Sequence, residues 1–153
     1  KKPYIKRPFG HNSNIRNVVN IKADCTNLFM YKDESVDEIL AVNLVDHFKF
    51  QDLPRIIVGW KRILKKGGKL IIDVGDAKGN AQLLLDAGGR EEMEWALRLI
   101  YCHSRNQYDA HHWGYTPAYL ESLMIEWGFK QIWSRRDFID HVYPSFQSCF
   151  AKD

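Results

Sequence analysis

Two histidine-bearing stretches hold the side chains best suited to chemistry. In Asn43-Leu44-Val45-Asp46-His47-Phe48 an acid directly precedes a histidine. An unperturbed imidazole titrates near physiological pH, so Asp46 and His47 read as a general-base pair. The alternative is that both cap or orient a turn. The second stretch, Ser104 to Tyr115, reads SRNQYDAHHWGY; it is loop-like and rich in hydrogen-bonding and aromatic side chains. His111 and His112 raise the question of a metal. Adjacent histidines point in divergent directions on most backbones, and no further ligand stands at a recognisable spacing. No metal is expected, and an anchoring or lid role is preferred. Three cysteines, Cys25, Cys102 and Cys149, are far apart and form no CxxC. They suit free thiols in a reducing cytoplasm.

The elements that must position these residues follow from hydrophobic patterning. Val36 to Val42 is an almost continuous apolar run, as in a parallel strand buried on both faces. Ile56, Ile57, Trp60, Ile63 and Leu64 recur at helical spacing, which predicts a helix from Leu53 to Lys65 with Asp52 as its cap. Gly67 or Gly68 supplies the left-handed stop, and Lys69 to Gly75 forms the next strand. This βαβ order implies adjacent parallel strands. Ligands of such sheets lie at the strands' carboxyl ends, here Asn43 to His47 and Gly75-Asp76. Downstream, Gly79 to Ala87 and Arg90 to Cys102 read as helices, the latter with Met93, Ala96, Leu97 and Ile100 on one side. Thr116 caps a helix that begins at Pro117 and ends at Gly128. Phe129 to Ser134 and Phe146 to Ala151 read as strands. The expected core includes Ile57, Trp60, Leu64, Ile71, Leu120, Leu123 and Phe129.

One hundred and fifty-three residues suit one domain, read as an arm over 1–17 and a domain over 18–153, with a strand at Val18 to Ala23. The net charge of +3 is small and mixed in sign, so nucleic acid is not indicated. No apolar run approaches membrane-spanning length.

The run ADCTNLFMYKDESVDEILAVNLVDHF followed by WKRILKKGGKLIIDVGD resembles the second half of a class I S-adenosylmethionine (SAM)-dependent methyltransferase of the type 11 kind. The resemblance implies an α/β, Rossmann-like sandwich with a mostly parallel sheet of four to six strands, the Val36 and Lys69 strands adjacent and central. The two C-terminal strands then pair antiparallel. It implies SAM as cofactor and a methyl acceptor that the sequence does not name. Asp24 would accept from the adenine amino group and the Cys25 N–H would donate to the ring; a loop-turn role for Asp24 stands beside this reading. Asn43 and Leu44 would wrap the methionine end. Asp76, His111, His112, Trp113 and Tyr115 would face the substrate. Class I methyltransferases work largely by positioning, which favours a turn role for Asp46 and His47 over base catalysis.

The family opens with a strand, a glycine-rich loop and a helix. The only glycine before Gly59 is Gly10, which is not so flanked, so the leading third of the fold is expected to be absent from this chain. Two functions then stand: a methyltransferase represented by a partial or compacted domain, and a methyltransferase-like binding or assembly module. An uncovered edge beside the Val36 strand further predicts a homodimer.

Overall fold

The computed structural model describes residues 23–106, 108–136 and 142–153. The expected arm, and the strand at Val18 to Ala23 apart from Ala23 itself, lie outside them. Among the described residues four strands form one sheet in the order β1-β2-β4-β3, with β1 Val36–Val42, β2 Leu64–Gly75, β3 Phe129–Arg136 and β4 Ser145–Lys152. β1 pairs parallel with β2, and β4 pairs antiparallel with both β2 and β3. Three strands therefore share one direction and the C-terminal strand opposes them, as expected. Among the described residues β1 stands at the end of the sheet rather than at its centre. It is also less buried than its apolar run suggests: Asp37 and Glu38 are exposed and only Ala41 is fully covered.

The crossover between β1 and β2 is α1, Leu53–Ile63. Its apolar stripe, Leu53, Ile56, Ile57, Trp60 and Ile63, is buried. It packs with Leu70, Ile72, Val74, Phe146 and Phe150 into the main core. Asp52 holds the N-cap position of this helix as expected but makes no side-chain capping hydrogen bond; it closes a 3₁₀ turn, Phe50–Asp52, that runs directly into α1. Leu64 already belongs to β2, so the helix ends two residues earlier than its periodicity predicts. The left-handed residue is Gly67, at φ 71°. At Gly68 a Cβ would lie 2.8 Å from the Lys65 carbonyl oxygen, so the hairpin-like return needs a glycine there.

Of the expected core, Ile57, Trp60, Leu64, Leu120, Leu123 and Phe129 are buried, but Ile71 is only half-buried. Its neighbours Leu70 and Ile72 face the main core, and strand alternation turns Ile71 to the other face. Helices α2, Ala77–Asp86, and α3, Arg90–Tyr101, pack mainly against each other. Ala96 is buried, while Met93 and Leu97 remain substantially exposed, contrary to the continuous apolar side read from sequence. α4, Pro117–Glu126, starts at the Thr116 cap, whose hydroxyl accepts from the Tyr119 N–H, and Gly128 at φ 78° follows its end.

Candidate functional site

β1 ends at Val42, and Asn43 takes a left-handed φ of 47°, a conformation asparagine tolerates better than most residues. Its N–H donates to the Asp73 carbonyl at 2.8 Å, and its side-chain oxygen accepts from the Tyr143 hydroxyl at 3.1 Å. The chain then enters a short 3₁₀ turn, Val45–His47, with Val45 and Asp46 buried beneath it.

The loop between α3 and α4 docks onto this turn. The Asp46 carbonyl accepts from the His112 N–H at 2.7 Å and the Trp113 N–H at 3.3 Å. Trp113 stacks on Phe50 with centroids 4.5 Å apart. The His47 Nδ1–H donates to the Ala110 carbonyl at 3.1 Å. His111 directs Nδ1 at the Leu99 and Ile100 carbonyls, 3.1 and 3.2 Å away, which close α3. Its Nε2 faces Asp46 Oδ2 at 3.4 Å. The His47 and His111 rings meet edge to face at 4.8 Å. Asp46, His47 and His111 thus converge, although the sequence places them in separate stretches. The divergence argument against a metal applies to His111 and His112; the fold pairs His111 with His47 instead.

The other expected site residues fall in three places. His112 is exposed and contributes its backbone to the dock. Tyr115 is fully buried beside Asp46; burial first, then the Asp46 and Tyr119 charges, raises its hydroxyl pKa. Asp76 caps α2, accepting from the Lys78 N–H at 3.1 Å, and lies 3.3 Å from the Arg136 guanidinium. Its carboxylate is therefore already engaged by the architecture at the end of β2.

Asp24 Oδ1 accepts from the Thr26 N–H and hydroxyl at 2.9 and 2.8 Å, the loop-turn role weighed from sequence. A carboxylate offers about four acceptor sites, so this turn is compatible with a further donor. The Cys25 carbonyl accepts from the Trp60 indole at 2.8 Å. Arg62 donates to the Leu28 and Tyr31 carbonyls at 2.9 and 3.0 Å and pairs with Asp33. α1 therefore holds the Asp24 loop in place.

Sequence reasoning missed Asn80, Asp109 and Tyr143. Asp109 clamps the docking loop through Arg105, whose Nε donates at 2.7 Å, and Arg105 holds its carboxyl well below the usual range. The i,i+4 spacing of Arg105 and Asp109 was the available signal. Among the described residues, three buried side-chain atoms lack a hydrogen-bond partner: Asp46 Oδ1, Asn80 Oδ1 and the Tyr115 hydroxyl. Asp46 follows the carboxyl end of β1, Asn80 lies in the helix that follows β2, and Tyr115 bridges to Asp76. No helix of the described residues is long and apolar enough to cross a membrane.

A family model described as a methyltransferase domain matches residues 5–72. No curated protein matches the chain. Among solved structures, a SAM-dependent methyltransferase from Methanosarcina mazei is 16% identical at a TM-score of 0.58, over 85% of this chain and 65% of that one. A 1,6-didemethyltoxoflavin-N1-methyltransferase from Burkholderia thailandensis, with 1,6-didemethyltoxoflavin and S-adenosylhomocysteine bound, is 15% identical at a TM-score of 0.60, over 86% and 49%. A magnesium protoporphyrin IX methyltransferase from Synechocystis, also with S-adenosylhomocysteine, is 13% identical at 0.56, over 87% and 50%. The chain spans between about half and two thirds of the length of these proteins. Residues 5–72 thus match a methyltransferase-domain family model, and over most of its length the chain shares its fold with these solved SAM-dependent methyltransferases.

Proposed function

We propose that the chain acts in SAM-dependent methyl transfer to an acceptor held at the carboxyl ends of β1 and β2. The observation that carries this reading is the position of the unpartnered buried atoms of Asp46, Asn80 and Tyr115. Buried polar groups are nearly always paired, so each of these atoms calls for a partner such as a water, an ion or a ligand group. The relatives with S-adenosylhomocysteine bound support the same cofactor.

SAM, when bound, supplies an electrophilic methyl group. Asp24 and Cys25 would hold its adenine, and Asn43 and Leu44 its methionine end. The left-handed turn at Asn43 fits a backbone that must wrap a ligand. The chain's own work is positioning: the Asp46 carbonyl fastens the docking loop, and His47 holds that loop through Ala110. Asp76, His111, His112, Trp113 and Tyr115 would form the acceptor side. The free Cys25, Cys102 and Cys149 support a reducing, cytoplasmic setting. A homodimer belongs to the same proposal.

Calorimetric titration with S-adenosylhomocysteine tests this reading. Saturable binding, weakened about tenfold or more by Asp24→Ala, is expected, since a hydrogen bond to a charged group contributes about 1.5–3 kcal/mol. No binding by this chain would favour the assembly module instead. Unchanged affinity in Asp24→Ala would remove the adenine assignment.

A further inference from the structure

We propose that Asp46, His47 and His111 form a binding site for one divalent transition-metal ion. One ligand atom from each of the three lies within 4.8 Å of the others. Two histidines and a carboxylate are a donor set that borderline divalent cations accept, with coordination positions left over for water or an acceptor atom.

The hydrogen bonds around the rings favour a metal over a simple ion pair. Metal-bound histidines usually donate their second ring N–H to a carbonyl or carboxylate, which fixes the tautomer. Both histidines do this here: His47 Nδ1 to Ala110, and His111 Nδ1 to Leu99 and Ile100. Each neutral ring then keeps its lone pair on Nε2. For His111 that lone pair points at a carboxylate oxygen, so two acceptors face each other at 3.4 Å. Something positive must stand between them.

A proton on His111 Nε2 would answer this in part. Charge-assisted N–H···O bonds, however, run about 2.7–2.9 Å, and 3.4 Å is long for one. Two ligands about 2.1 Å from one tetrahedral ion lie roughly 3.4 Å apart, which matches. A proton there also serves only His111 and Asp46, whose side chain is 8% exposed. It gives no role to the second nitrogen of His47. One ion uses all three residues; ligand atoms now up to 4.8 Å apart close by about 1.4 Å or less to reach the roughly 3.4 Å separation.

The test does not depend on methyl transfer or on SAM. The purified chain, stripped of metal, is titrated with Zn²⁺ by calorimetry and with Co²⁺ by visible absorption. The expected result is one ion per chain, a Co²⁺ ligand-field band, and a rise in melting temperature with Zn²⁺. Asp46→Asn, His47→Gln and His111→Gln should each weaken Zn²⁺ by more than about tenfold, the smallest loss that even outer-shell changes usually produce. His103→Ala, an exposed histidine of the same loop, should leave it unchanged. Weak, superstoichiometric binding that survives the three substitutions would overturn the site. Should a variant fail to fold, the wild-type Co²⁺ titration decides alone: no stoichiometric band means no site.

Discussion

Cys25 sits where the Asp24 loop meets α1, its carbonyl held by Trp60. Burial first, then the neighbouring Asp24 charge, pushes its thiol up from 9.0 to about 11. Below pH 9 both folded and unfolded chains hold this proton, and the contribution to stability is fully present. Between 9 and 11 the unfolded chain has released it while the folded chain has not, so that contribution declines as pH rises. The thiolate is the nucleophile, and at pH 8 the folded chain carries about a hundredfold less of it at this position. Iodoacetamide should therefore modify Cys25 at least about tenfold more slowly in the native than in the denatured chain, as read by peptide mass mapping. Equal rates would show that the loop is not held by Trp60 and Arg62. At this scale the sequence named Asp46, His47 and His111 by residue type. It could not bring them together, because spacing reports local geometry and these residues meet only through the fold. It did offer the turn in which Asp24 bonds Thr26, because that contact spans only two residues.

At the scale of elements, periodicity was a sound guide where one face meets the core. α1 and α4 followed it because their buried stripes are long enough to dominate local preference. β1 did not follow its apolar run, since strand burial depends on what lies beyond the strand, which its own residues do not report. α3 shows the same limit: it packs on α2, and so Met93 and Leu97 stay open to solvent. α4 gives a direct check of the face assignment. Leu123 is buried among core residues, and Ile125, two positions on, is 55% exposed. Leu123→Ala should cost about 2–5 kcal/mol in denaturant unfolding. Ile125→Ala should stay within about 1 kcal/mol, as exposed positions do. A reversal of that order would place the wrong face of α4 on the sheet.

For the whole molecule, the sheet joins β1 to β2 on one side, and among the described residues nothing pairs with the other side of β1. An open edge presents unpaired N–H and C=O groups that another strand can use. We propose that a second copy uses it, by a two-fold axis through β1, the commonest closed arrangement for soluble oligomers. Antiparallel pairing centred on Ile39 sets Asp37 of one copy against Ala41 of the other, and Glu38 against Leu40. The two acids of one strand then meet apolar residues rather than their own kind, so like charges are not opposed. Asp37 is also neutralised locally by Lys65, whose amino group lies 2.6 Å away. Because the contact is made of backbone bonds and aliphatic side chains, salt should change it little. Sedimentation velocity across the micromolar range should show a monomer–dimer equilibrium that is nearly the same at low and high ionic strength. A single monomeric species at every concentration would mean that residues of the same chain cover β1. A dimer that dissolves in salt would place the contact on a charged face instead.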